Sequence, residues 1–259
     1  MTEGSGVTYA QGFTAAGVAC GIKKNGNPDL AVVKCDVRAR AAGIFTRNIV
    51  KGHSLRLARK NVRNGYAQLV VINSGCANAC LGPRGDADAL EMARLAANRF
   101  GVRQGDVLPG STGVIGVPLP LDKIAAGLDE AILSRSGGAD AARAIMTTDT
   151  VPKEAQADVT IGGRTVRIGG MAKGSGMIHP NMATLISVLT TDAAISVSAL
   201  RQALREAAAV SYNRISVDGD TSVCDKVLIL ASGLAGNDVI EPDTEEYARF
   251  TAALKSVCV

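Results

Sequence analysis

Two stretches, "LAVVKCD" at 30–36 and "AQLVVINSG" at 67–75, are apolar or β-branched at nearly every position, the pattern of strands covered on both faces. Elsewhere the spacing becomes helical. Ala89, Met92, Ala93, Ala96 and Phe100 fall on one face of a helix predicted from Asp86 to Phe100, with Asp86 placed to cap its start and Gly101 to end it. A second helix is predicted over "PLDKIAAGLDEAIL" at 120–133, where Leu121, Ile124, Leu128 and Ile132 form the stripe and Pro120 suits the first turn. "ADVTIGGRTVRIGG" at 157–170 alternates around Gly162 and Gly163, the signature of a tight hairpin. From Thr184, "TLISVLTT" predicts a strand. "VSALRQALREAAAV" follows as a helix with Leu200, Leu204, Ala207 and Val210 on one side, and "KVLILASG" as another buried strand. Mixed α/β layers follow. With no internal repeat, low-complexity tract or long linker, any two lobes are expected to share one sheet system.

Composition narrows the choice of function. At 259 residues the chain exceeds the usual domain of ~100–150, so one large domain or two intimate lobes both fit. Hydrophobic residues make up 47% and aromatics 3%, without tryptophan, so the core is aliphatic and platforms for stacking bases are scarce. The net charge of +4 favours small anionic ligands mildly and marks no polyanion binder. The richest basic stretch, "RNIVKGHSLRLARKNVRN" at 47–64, has its charges interspersed with apolar residues at helical spacing, which predicts a solvated helix face rather than a nucleic-acid patch. No apolar run approaches the ~20 residues of a membrane span, and "MTEGSGVTYAQGF" has neither the basic start nor the apolar centre of a signal peptide. A cytoplasmic protein without membrane or nucleic-acid partners is expected, with its six scattered cysteines reduced. Cys76 and Cys80 stand one helical turn apart, but only His53 and His179 are available to complete a zinc site, so no metal is expected.

Common catalytic motifs are missing. There is no G-x-S-x-G elbow and no phosphate loop, and "KGSGMIH" breaks the G-x-G-x-x-G pattern at His179. His53 lies inside the basic stretch and His179 is pinned before Pro180, so neither makes a persuasive triad member. Another source of a base is a free amino terminus, made by cutting the chain ahead of a Thr, Ser or Cys, because its α-amine titrates near ~7.7–8.0 and can deprotonate the adjacent hydroxyl. "MAKGSGMIHPNMATLISVLTTDA" at 171–193 fits that plan: a glycine-rich loop, then a strand beginning at Thr184. From the residues alone, Thr184 as an ordinary strand threonine, Lys173 as a solvent-facing loop residue and "STG" at 111–113 as a turn remain the simpler readings.

These residues nevertheless resemble the autoprocessing segment of the ornithine acetyltransferase family, the bifunctional glutamate N-acetyltransferases of arginine biosynthesis. "GFTAAGVACGIKKNGNPDLAVV", "FTRN", "VVINSGCANACLG", "GSTGVIGVPLPLDKI", "AIMTTDTVPKE" and "SYNRISVDGDTSVCD" resemble the family's blocks in the family's order. The resemblance implies a layered α/β sandwich of the amino-terminal-nucleophile type. It implies autocatalytic cleavage between Ala183 and Thr184, giving an α chain of 1–183 and a β chain of 184–259 that stay associated as a heterotetramer of two α and two β chains. Thr184 is then the nucleophile, carrying acetyl from N-acetylornithine to glutamate. The oxyanion pair falls on Thr112 and Gly113, and the substrate contacts on Thr147, Lys173 and Thr184. No cofactor is implied; acetyl-CoA is an optional second donor.

Two departures stand out. The family usually carries asparagine where this chain has Cys76. Family members also continue through a segment with an acidic substrate contact and a near-terminal asparagine, whereas this sequence stops at "LKSVCV". The alternatives to an acetyltransferase are a truncated non-catalytic relative serving as a binding or assembly subunit, and an amino-terminal-nucleophile amidohydrolase passing the acyl group to water.

Overall fold

A strand of 16 residues, Leu30–Phe45, is too long and too irregular to lie in one flat layer: its register slips between Lys34 and Ala39. The computed structural model, which describes residues 4–177 and 185–259, uses that slip to connect two halves of one sheet. In chain order the elements are β1 (Phe13–Val18), β2 (Leu30–Phe45), α1 (His53–Asn61), β3 (Tyr66–Cys76), α2 (Gly82–Phe100), β4 (Val107–Val114), α3 (Leu121–Glu130), α4 (Gly138–Ala144), β5 (Lys153–Ile161), β6 (Arg164–Lys173), β7 (Ile186–Thr191), α5 (Val197–Val210), β8 (Lys226–Ala231) and α6 (Glu245–Cys258). The strands run β4-β3-β2-β8-β7-β6-β5, with β1 also paired to β2. The first part of β2 pairs with β3, Leu30 opposite Asn73, and its last part with β8, Phe45 opposite Lys226.

The two halves face each other across an aliphatic core. Val33, Ile72 and Leu108 from one half meet Met171, Ile186, Leu228 and Leu230 from the other. Side chains alternate as a pleated strand requires: along β8, Leu228 and Leu230 enter this inner core while Val227 and Ile229 pack outward with α5 and α6. On the opposite outside, Leu69 and Val71 of β3 pack with Met92, Ala93 and Ala96 of α2 and with Ile124 and Leu128 of α3. The result is the expected layered α/β sandwich: helix, sheet, sheet, helix.

Most of the sequence-level elements are found near their expected bounds, with two corrections. The helix expected from Asp86 begins at Gly82, because Pro83 presets the first turn, and Asp86 binds His53 instead of capping. The helix expected to reach residue 133 stops at Glu130, where Ala131 turns extended, and Ile132 leaves the stripe to lie 83% exposed. The 157–170 hairpin turns at Gly162 and Gly163, both at positive φ, as expected.

Candidate functional site

Parallel pairing of β3 and β4 brings the ends of two strands together, with Ser74 opposite Thr112 and Gly75 opposite Gly113. Thr112 is buried at 7% exposure, and the next residue, Gly113, reaches the surface. Only glycine fits there: φ is 128°, and an added Cβ would meet the Gly75 carbonyl carbon at 2.3 Å.

Lys173 is the last residue of β6. A solvent-facing loop position was the simpler sequence reading, and the structure corrects it: Lys173 is 5% exposed, because β6 pairs through to its end with Ile186 of β7. Its Nζ donates to Thr112 Oγ1 at 3.4 Å, so two residues 61 positions apart meet across the sandwich. Burial lowers the Lys173 amine from its ordinary range, against the pull of the nearby Asp149 carboxylate.

Asp149 organises this end of the molecule, and sequence reasoning did not single it out. Its Oδ1 accepts from Lys153 Nζ and from the Gly174 amide, both at 2.7 Å, and its Oδ2 from the Thr147 amide at 3.2 Å. Burial alone would raise its carboxyl, but the hydrogen bonds from Lys153, Gly174 and Thr147 outweigh it and hold the pKa below the ordinary value. Thr147 itself is exposed, and its backbone amide shares this carboxylate with the amide of Gly174, the residue after Lys173. The signal lay in the acidic residue of "MTTDT", visible but uninterpreted.

A second missed residue is Lys226. The row of paired residues Lys173, Ile186, Lys226 crosses the half-sheet opposite β4. Lys226 is fully buried, and its Nζ has no hydrogen-bond partner among the described residues. It lies against β4, where a Cβ on Gly110 would sit 2.8 Å from that nitrogen. Burial pushes its amine down to about 8, despite the opposing pull of Cys224 and Asp225. Sequence reading placed Lys226 inside a buried strand without asking what a lysine does there.

Ala183 and Thr184 lie outside the described residues, as does His179. The carbonyl of Leu185 accepts from the Lys226 amide at 3.0 Å, so β7 is entered directly beside the buried lysine. A cavity of about 580 Å3 touches Lys173, Leu185, Ser187 and Tyr212, but not Thr112, Gly113 or Thr147, and lies mostly on the outer side of β6 and β7.

The remaining chemical candidates are structural. His53 Nδ1 lies 2.9 Å from Asp86 Oδ1, and its Nε2 accepts from the Leu81 amide at 3.2 Å, which ties α1 to the start of α2. Cys76 is buried, with Sγ donating to the Val117 carbonyl at 2.8 Å, so the thiol is satisfied within its turn. The described cysteines are all free, and among the described residues no three His, Cys, Asp or Glu side chains gather as metal ligands. No helix among them is long and apolar enough to cross a membrane. What the site offers is a threonine hydroxyl beside a buried amine at a glycine-lined strand end, suited to holding an anion or a developing negative charge.

Comparison with known proteins places the chain among relatives of similar sequence and fold. A model of the ArgJ family matches residues 14–259. The arginine biosynthesis bifunctional protein ArgJ of Symbiobacterium thermophilum is 55% identical over 258 residues, covering 98% of this chain and 64% of that protein. That of Shouchella clausii is 46% identical, covering 96% and 61%. The chain thus spans a little under two thirds of these curated relatives. Among solved structures, ArgJ of Bacillus halodurans superposes with a TM-score of 0.66 at 41% identity, over 69% of this chain and 94% of that one. The ornithine acetyltransferase of Mycobacterium tuberculosis, solved with ornithine, gives 0.62 at 39%, over 68% and 95%. The L-aminopeptidase D-Ala-esterase/amidase of Ochrobactrum anthropi, described as a variant of the Ntn-hydrolase fold, gives 0.60 over the whole chain at 14% identity, a likeness of fold alone.

Proposed function

Because the chain belongs to the ArgJ family, we propose that it is an acetyltransferase of arginine biosynthesis that moves acetyl from N-acetylornithine to glutamate through Thr184. The observation that carries this reading is the convergence of Lys173 Nζ on Thr112 Oγ1 beside the strand end that continues into Gly113. A cation and a hydroxyl meet there, and Lys173 pairs with Ile186, where β7 begins two residues after Thr184.

The chain first cuts itself. The Thr184 hydroxyl attacks the Ala183 carbonyl, the peptide C–N bond breaks to free the Thr184 amine, and water hydrolyses the resulting ester. The match to the two solved relatives supports this step: 69% and 68% of this chain account for nearly all of theirs, about the share that residues 1–183 represent. The freed amine then serves as the base for its own hydroxyl. Acetyl passes from N-acetylornithine to the Thr184 oxygen, ornithine leaves with a proton on its amine, and the glutamate amine takes the acetyl group.

Thr112 and Gly113 stabilise the oxyanion in each half-reaction, and Lys173 anchors the carboxylate common to both amino acids, with Thr147 at the rim. Acetyl-CoA as a second donor loads the same oxygen, with no cofactor. The two pieces remain associated, in the family's arrangement of two α and two β chains. Thr184 serving both half-reactions gives ping-pong kinetics. A denaturing gel tests the premise: pieces of 1–183 and 184–259 are expected, and a single uncut chain in active protein contradicts it.

A further inference from the structure

Away from Thr112 and Lys173, the chain builds a second concave site. A pocket of about 500 Å3 opens over the last residues of β2, between α1 and α5, within the ~300–1,000 Å3 typical of small-molecule sites. Its floor is Ala42, Ile44 and Leu204, and its walls carry Arg47, Lys51, Arg59, Arg201 and Arg205. No carboxylate lines it. Among the described residues no salt bridge involves any of the five cations, although other arginines commonly form one.

The arrangement is specific to the fold. Three of the cations come from the basic stretch at 47–64, which the sequence predicts as a plain solvated helix face; the structure instead sets it opposite two arginines one helical turn apart on α5. Arg201 is partly buried and held in place by donating from Nη2 to the Arg63 carbonyl at 2.7 Å, its one hydrogen bond among the described residues. Five like charges around one concavity repel each other unless an anion joins them. Four of the five are arginines, whose planar forks match phosphate oxygens in pairs. A concave site with an apolar floor suits a compact ligand better than a nucleic-acid backbone, which needs an extended track.

We propose that this pocket binds a small molecule bearing two or more linked phosphates, such as a nucleoside polyphosphate, at a site sharing no lining residue with the catalytic end. The probes are tripolyphosphate and ATP, titrated calorimetrically into the 259-residue protein. Both should bind, more weakly as salt rises. Tighter binding of ATP makes the ligand a nucleotide, and equal binding makes the phosphate chain the whole determinant; either outcome supports the proposal. Arg59→Glu and Arg205→Glu, both at exposed positions and safe for folding, should each weaken binding about tenfold or more, while Arg164→Glu on the distant hairpin leaves it unchanged. Absence of binding, binding indifferent to Arg59→Glu and Arg205→Glu, or preference for polyglutamate over tripolyphosphate overturns it, the last by making the pocket a face for an acidic polypeptide.

Discussion

Lys173 Nζ donates to Thr112 Oγ1 at 3.4 Å, and this contact joins the end of β6 to the end of β4 across the inner core of the sandwich. It turns the hydroxyl of Thr112 toward the buried amine proposed to bind substrate. Thr112→Ala should therefore lower turnover about a hundred- to a thousandfold, the usual cost of one oxyanion donor, with KM for N-acetylornithine within a few fold. Thr112→Ser should recover most of it. Steady-state kinetics decide: a raised KM with normal turnover makes Thr112 a binding residue instead.

Lys173→Ala should weaken N-acetylornithine and glutamate together, since one amine is proposed to hold the carboxylate of both. Binding needs the charged amine, and burial lowers its pKa, so affinity should fall with rising pH at a lower pH than for an ordinary lysine. A KM–pH series for both substrates checks this. Loss of affinity for only one of them contradicts a shared anchor.

Gly113→Ala should cost roughly 2–5 kcal/mol, because it forces a side chain into both a left-handed backbone and the Gly75 carbonyl. Urea unfolding of the uncut Thr184→Ala chain measures it. A loss below ~1 kcal/mol would mean that β3 and β4 separate easily at this end.

Lys226 makes a prediction with a definite sign. Its folded pKa of about 8 lies below the ordinary lysine value of 10.5, so the unfolded chain binds more protons between those values and stability rises with pH across that window. Below it the buried amine costs roughly 3 kcal/mol, the free-energy equivalent of such a shift. Lys226→Met, in the Thr184→Ala background, should raise stability near pH 7 by a comparable amount, and the gain should shrink as pH rises from about 8 and be nearly gone by 10.5. A Lys226→Met chain that is less stable at pH 7 would show that the ammonium is compensated inside the fold.

How legible was all this in the sequence? Where structure depends on neighbours along the chain it was readable: the Gly162–Gly163 hairpin, the apolar runs of β2 and β3, and the α5 stripe of Leu200, Leu204 and Ala207, though its expected fourth member, Val210, is exposed at the helix end. The helix limits failed where local chemistry gave two answers, as at Asp86, whose carboxylate serves either as a cap or as a partner for His53. Thr112, Gly113, Thr147 and Lys173 were named through family resemblance, because no spacing rule connects residue 112 with residue 173. Their meeting depends on β2 folding the sheet over, a property of the whole chain. Asp149 and Lys226 escaped for the same reason: their roles lie in what surrounds them, Lys153 and Gly174 for one and Gly110 for the other. The cationic pocket is the clearest case, since α5 contributes two of its five charges from 142 or more residues away.

The central claim is that Thr184 carries the acetyl group. Intact mass spectrometry after brief incubation with N-acetylornithine, without glutamate, tests it most directly. The piece beginning at Thr184 should gain one acetyl group on its first residue, lose it when glutamate is added, and gain none in the Thr112→Ala protein over the same interval. Self-cleaved protein whose 184–259 piece stays unmodified while N-acetylglutamate is produced would contradict the account and require direct transfer between the two substrates.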